Sequence, residues 1–299
     1  MSESGNPPAP GTRPVGPPER RRLPAARLPG RVIYEGESVH NIIRVVDTPT
    51  DRSLYLNYAA GAQTVMRKDA LLTGRYYDGF LLGPLLNGAK RALFLGVGGG
   101  TALKQVLAVY PDVEVVGVDL DPEVLAVAER YFGLSPSSRL ELRAEDARWY
   151  VESTGREFDL VAVDLFVTGQ IPFFTTTVEF FDRVRQRLSP GGLMLMHVHS
   201  AHSGEEPLAP FVRTVGAVFP GVFLFGRNNV ILVASKSPVE LDALIGALRK
   251  GAAAFPAVQP VVTRALEDFR VPTFRRSPSP FTDDRNDVEI RTFRLSHKP

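Results

Sequence analysis

From residue 91 to residue 199 the chain alternates short apolar runs with segments of helical spacing, and this alternation restricts it to one broad class of fold. "RALFLGV", "EVVGVDL", "RLELRAED", "FDLVAVDLF" and "LMLMHVH" have the length and content of buried strands. Between them, "TALKQVLAVY", "PEVLAVAERYF" and "TTTVEFFDRVRQRL" have helical spacing, with Pro122 in one first turn and threonines at another cap. A short helix through Trp149 follows the third strand. Strands separated by helices pair in parallel through right-handed crossovers. The expectation is an α/β fold with a doubly wound, mostly parallel, seven-stranded sheet. Its last two strands come from "GVFLFGRNNVILVAS", an antiparallel hairpin around an Asn turn.

Upstream the pattern differs. "RVIYEGESV", "NIIRVVDT", "SLYLNY" and "AQTVM" are β-branched and aromatic runs separated by turn signals. They predict a small antiparallel β unit over about 31–67. A helix is expected across "DALLTGRYYDGFLLGPLL", with Pro84 near its end. Residues 1–28 are rich in Pro, Gly and Arg and poor in large apolar side chains, so they predict a disordered tail. The expected organisation is this tail, an N-terminal β unit at 29–68, and an α/β domain at 69–299. In the last part, "PVELDALIGALRK" and "VVTRALEDF" predict helices, and "RRSPSPFTDDRND" predicts a loop folding back toward the cleft.

Composition narrows the function. A net charge of +2 gives no reason to expect nucleic-acid binding. The absence of cysteine excludes disulfides and thiolate chemistry. No apolar run reaches the length of a membrane span, and no secretory signal is expected, so a cytoplasmic location is.

The glycine-rich turn "LFLGVGGGTAL" lies at the carboxyl end of the first parallel strand, where ligands bind in such sheets. A phosphate-binding P-loop needs Gly-Lys-Ser/Thr, whereas this chain has Gly100-Thr101-Ala102. A dinucleotide fingerprint places a third glycine where Thr101 stands. The pattern present is G-x-G-x-G, at Gly96, Gly98 and Gly100.

The next strand ends carry acids. Asp119 ends "GVDL" and can accept ribose hydroxyls. Asp146 in "RAEDA", followed by Ala147, can accept from an adenine amino group. Asp164 in "VAVDLF" falls at the centre of the cleft. Carboxylates there repel a pyrophosphate and attract a sulfonium or an ammonium. An S-adenosyl ligand is therefore expected over a dinucleotide.

These motifs give the chain a resemblance. Residues about 31–235 resemble the spermidine synthase-like (polyamine aminopropyltransferase) branch of the class I S-adenosylmethionine-dependent transferases. It rests on the β-rich N-terminal piece, "LFLGVGGGT", "VVGVDLD", "RAEDA", "FDLVAVDLF", Gln63 upstream of "RYYDGF", and the C-terminal "FTDDRNDVE". The resemblance implies S-adenosylmethionine or its decarboxylated form as co-substrate, a small amine acceptor and a homodimer; no metal is expected, because no carboxylate ligands that would join the histidines of "HVHSAH" are evident in the sequence. It implies that Asp119 holds ribose, Asp146 holds adenine and Asp164 accepts the proton of the attacking amine. Gln63, Tyr76, Tyr77 and Asp78 then contact substrate.

Two positions depart from the family pattern. Gly99 stands where the family's G-G-G-D-G-G loop has an acid, and Val167 stands where a second acid follows the catalytic one. Both losses remove partners for cationic amines. Phe166, Phe173, Phe174, Tyr76 and Tyr77 suggest an aromatic acceptor pocket or a packed lid. Methyl transfer from S-adenosylmethionine, and a non-catalytic nucleoside-binding homologue, are therefore alternatives to aminopropyl transfer. In "HVHSAH", His197 and His199 share one strand face. One histidine is expected in the cleft, the others structural or exposed with His202 in the loop. Trp149 is expected in a helix core.

Overall fold

The computed structural model describes residues 28–57, 61–166, 171–199, 208–272 and 279–285. The tail expected over 1–28 lies, apart from Leu28, outside the described residues.

The β-branched runs form an antiparallel four-stranded sheet: β1 (Arg31–Glu37), β2 (Ile42–Asp47), β3 (Asp51–Leu56) and β4 (Thr64–Arg67). Alternation sends Ile43, Val45 and Leu54 to one face. There they pack on Val124, Val127 and Phe132.

The larger sheet contains β5 (Arg91–Leu95), β6 (Glu114–Asp119), β7 (Leu140–Ala144), β8 (Phe158–Val163), β9 (Leu188–His199), β10 (Gly221–Phe225) and β11 (Asn229–Ser235). Its order is β10-β11-β9-β8-β5-β6-β7. Strands β5 to β9 pair in parallel, and the β10–β11 hairpin adds antiparallel to β9. The seven-stranded, mostly parallel sheet with its closing hairpin is as the sequence predicts.

Successive residues of β5 face opposite layers. Ala92 and Phe94 join a cluster with Leu103 and Val106 of α2 (Thr101–Val109), Leu248 of α7 (Leu241–Ala254) and Val262 of α8 (Gln259–Glu267). Leu93 and Leu95 join Val151 of α4 (Ala147–Ser153), Phe180 of α5 (Val178–Arg187) and Val215 of α6 (Ala209–Gly216). Helix α3 (Pro122–Phe132) carries the residues that meet the small sheet. Its N-cap, Asp121, fixes that junction: Ser38 Oγ and Asn41 Nδ2 both donate to Asp121 Oδ2, at 2.5 and 2.8 Å.

The helix expected over 69–86 is shorter. Residues Tyr76–Leu81 form a 3-10 segment that runs into α1 (Leu82–Asn87). Before it, the chain turns because Asp78 accepts the N–H groups of Thr73 and Gly74. The C-terminal segment does return to the domain. Phe281 is buried, its carbonyl accepts from Val178 N–H, and its N–H donates to Thr214 Oγ1. Phe281 packs edge-on against Phe211 of α6, and the described residues 279–285 do not line the cleft toward which the loop is expected from sequence to fold. Arg148 of α4 pairs with both oxygens of Asp283 (2.8 and 2.5 Å) and donates to the Phe174 carbonyl.

The order of strands reverses at β5. The chain runs outward from β5 through β6 to β7, then crosses back to β8 on the other side. A crevice opens at such a reversal, beyond the carboxyl ends of the strands. It lies between the loops that follow β5 and β8.

Candidate active site

The glycine loop follows β5 directly. Gly96 has φ of 89°, and a Cβ there would sit 2.2 Å from the Asp164 carbonyl oxygen. Only glycine accepts both the left-handed backbone and that approach. The loop is held by Asp119 at the end of β6. Val97 and Gly98 N–H groups donate to its Oδ2, both at 3.0 Å, and Asp121 N–H donates to its Oδ1. Burial pushes the Asp119 carboxyl above the usual carboxylate range, opposed by these same N–H groups. Three bonds leave a carboxylate room for about one more donor.

A cavity of about 580 Å³ lies over this loop. Gly96, Gly98, Asp119, Asp146, Ala147, Asp164, Gln63, Tyr76 and Tyr77 all line it. Two expected residues do not. Gly100 caps α2, and a Cβ there would meet Leu134 at 2.4 Å, so it faces the protein interior. Asp78 is buried and accepts from Thr73, Gly74 and Gln105, which makes it an anchor of the 73–74 turn rather than a substrate contact. Asp146 has a second job beside the cavity: its Oδ1 accepts Trp149 N–H and caps α4. Trp149 itself is 63% exposed, not core, because α4 turns Ala147, Tyr150 and Val151 inward. Phe166 and Phe174 line the cavity, whereas Phe173 points outward against the edge of Phe174.

The crevice centre is a polar array. Asp164 follows β8, and its N–H bonds the Leu95 carbonyl, so its backbone is fixed by the sheet. Tyr76 donates from its hydroxyl to Asp164 Oδ2 at 3.1 Å. His197 Nδ1 lies 3.0 Å from Asp164 Oδ1, and His197 Nε2 lies 3.0 Å from Asn229 Oδ1. Tyr76 stacks on the imidazole at 3.5 Å between centroids, 10° from parallel. Burial, then the Asp164 charge, raises the Tyr76 hydroxyl well above its ordinary range, so it stays a neutral donor. Four carboxylates line the cavity (Asp119, Asp121, Asp146 and Asp164), and among the described residues no Lys or Arg does.

Of the three clustered histidines, His197 and His199 line the cavity and His202 lies outside the described residues. Among the described residues no three His, Asp or Glu side chains converge as metal ligands. Val167 also lies outside the described residues. Asn229 had no sequence signal beyond a hairpin turn. It reaches the site because β11 pairs with β9 in a register that sets Asn229 opposite His199.

Gly99 has a structural explanation. Its N–H donates to Thr64 Oγ1 at 2.8 Å, and a Cβ at 99 would lie 2.8 Å from Thr64 Cγ2 and 3.2 Å from Phe132. The β unit fills the place where a side chain at 99 would go. Gly99→Asp is therefore expected to lower stability by about 3 kcal/mol through overpacking and a buried carboxylate. Adding Thr64→Ser should recover part of the loss, read as the urea unfolding midpoint. A Gly99→Asp protein as stable as the parent would show that the loop opens freely.

Residues 93–194 match the methyltransferase domain family model. A "Probable polyamine aminopropyl transferase" of Bifidobacterium longum is 33% identical over 188 residues, covering 62% of this chain and 42% of the relative. Over this stretch the chain is similar to curated polyamine aminopropyltransferases. The polyamine aminopropyltransferase of Vibrio vulnificus is 30% identical over 178 residues, 56% of this chain and 60% of the relative. The chain thus spans only about half the length of these curated aminopropyltransferases. A spermidine synthase solved in complex with the transition-state analogue AdoDATO superposes with a TM-score of 0.65. It is 22% identical, and the match covers 81% of this chain and 86% of that one. The shared fold is the class I methyltransferase-like sheet with its N-terminal antiparallel unit. Among the described residues no helix is long and apolar enough to cross a membrane.

Proposed function

We propose that this chain is an aminopropyltransferase that moves the aminopropyl group of decarboxylated S-adenosylmethionine to an amine. The observation that carries this reading is the charge of the cavity: four carboxylates, with no Lys or Arg among the described lining residues. Decarboxylated S-adenosylmethionine has a sulfonium and an ammonium and no carboxylate. Intact S-adenosylmethionine brings an α-carboxylate that finds no Lys or Arg among the described lining residues. The solved spermidine synthase with AdoDATO supports the same donor class.

In this reading the nucleoside lies over the glycine loop, with Asp119 at the ribose and Asp146 and Ala147 at the adenine. Gln63, Tyr76 and Tyr77 border the aminopropyl and acceptor groups. The acceptor nitrogen attacks the carbon next to sulfur, the C–S bond breaks, and methylthioadenosine leaves. Asp164 takes the proton that the attacking amine must lose. Most of the remaining acceleration is orientation of two bound reactants. In this reading the enzyme works as a homodimer, as the resemblance implies.

Calorimetry with decarboxylated S-adenosylmethionine, intact S-adenosylmethionine and methylthioadenosine tests the reading. The decarboxylated donor is expected to bind at least about tenfold more tightly than the intact one, since a charge left without a partner costs on the order of 1.4 kcal/mol or more. Preference for intact S-adenosylmethionine sinks aminopropyl transfer and selects methyl transfer. One observation favours that second reading: Thr64 packs on Gly99, where the resemblance expects the acid that anchors the donor's amine. Binding of none of the three selects a homologue without this chemistry.

A further inference from the structure

We propose that His197 sets the charge of the catalytic carboxylate, so that the Asp164–His197 pair receives a cationic amine only while the imidazole is neutral. The inference rests on the aminopropyl-transfer reading and assigns a positioning residue to it.

The imidazole is 4% exposed and has an oxygen at each nitrogen: Asp164 Oδ1 and Asn229 Oδ1, both at 3.0 Å. His199 Nδ1 lies 3.0 Å from the same Asn229 oxygen. A neutral imidazole has one N–H and one lone pair. Facing an ionised Asp164, the N–H belongs on Nδ1. The Nε2 lone pair then needs a donor, and the Asn229 amide supplies one by turning its NH₂ inward. The two hydrogens of that NH₂ serve His197 Nε2 and His199 Nδ1. When His197 takes a second proton, the amide turns back and its oxygen accepts from both rings. The array therefore satisfies either charge state by rotating one amide, and neither state leaves a buried polar atom unpaired.

The two states differ in charge toward the cavity. With neutral His197 the pair carries −1 and attracts a sulfonium or ammonium. With imidazolium the pair is neutral and the attraction is lost. The titratable groups facing the ring among the described residues are Asp164 after β8, Tyr76 with Tyr77 behind it from the 76–81 segment, and His199 on its own strand. Tyr76 and Tyr77 stay neutral, each hydroxyl raised mainly by burial. His199 is exposed. Stacked Tyr76 and adjacent Phe166 hold the ring in place in both states.

The test is calorimetry on the whole chain from about pH 8 to about pH 6, the span in which imidazoles titrate. Decarboxylated S-adenosylmethionine is the cationic probe and methylthioadenosine the neutral one. The parent is expected to lose about tenfold in affinity for the cationic probe on acidification and to hold methylthioadenosine unchanged. His197→Gln keeps an N–H for Asp164 without a titrating charge, and its affinity for the cation should be flat. A His197→Gln protein that tracks the parent curve, or a parent that loses both probes alike, overturns the proposal. If neither probe binds at any pH, the aminopropyl reading fails, and nitrogen NMR of the parent's histidine rings still decides this one. The expected signature is Nδ1–H with a bare Nε2 on His197 at about pH 8. An Nε2–H tautomer at the higher pH overturns it.

Discussion

Asp164→Asn is expected to bind methylthioadenosine within about threefold of the parent and to turn over about 10³-fold more slowly, in the range of a lost general base. The substitution separates geometry from proton transfer. The backbone at 164 is fixed by its N–H to the Leu95 carbonyl and by the contact with Gly96, and neither involves the side chain. Asparagine keeps an oxygen for His197 Nδ1, while its amide faces the Tyr76 hydroxyl, which can accept as well as donate. The shape of the site therefore survives. What disappears is the capacity to take the amine's proton, together with one negative charge. Release of methylthioadenosine in a single turnover measures the first. Affinity for the cationic donor, which should weaken while the neutral nucleoside does not, measures the second. A variant retaining a tenth or more of the parent's rate would remove Asp164 from the role of base.

The parts of this molecule that were legible in the sequence are those governed by local pattern. Alternating strands and helices gave the doubly wound sheet, and acids at strand ends marked the crevice, because a residue at the end of a parallel strand reaches the crevice whatever surrounds it. Partner choice was not legible. Asp78 looks in sequence like one more acid near "RYY", but it is claimed by Thr73, Gly74 and by Gln105, 27 residues on. Asp146 reaches the cavity and also caps a helix, two roles that a carboxylate at a strand-to-helix turn serves together. Trp149 was misplaced because a seven-residue helix buries one narrow face, and periodicity over two turns does not say which. The Gly99 departure looked in sequence like a lost acid. The structure adds that Thr64, from the N-terminal sheet, stands in the vacated space, a coupling across 35 residues that no local pattern contains.

Asp119→Ala is expected to lose methylthioadenosine binding by about 100-fold or more and to destabilise the fold by about 2 to 3 kcal/mol, because buried N–H groups are left without an acceptor. Both effects come from one carboxylate. Its Oδ2 gathers the Val97 and Gly98 N–H groups, and its Oδ1 takes Asp121 N–H ahead of α3. Alanine orphans all three, and the glycine loop loses the contact that curves it over the sheet. Burial pushes the Asp119 carboxyl above its ordinary range, so the folded protein holds this proton more readily than the unfolded chain does. The sign follows from linkage: ionising Asp119 costs stability as pH rises through the unfolded and then the folded value, and acidification gives that stability back. A carboxylate kept ionised at such a site contributes little to the fold by its charge, and its charge is available to a ligand. Asp119→Asn isolates that contribution. It removes the cost of ionisation and keeps an oxygen for the loop, so it should be less destabilising than alanine, while a ribose hydroxyl loses its charged acceptor. Urea unfolding of the two variants, set beside calorimetry with methylthioadenosine, separates the roles. Binding within about threefold of the parent in Asp119→Asn would reduce this residue to a loop anchor, since a hydrogen bond to a charged group contributes roughly 1.5–3 kcal/mol.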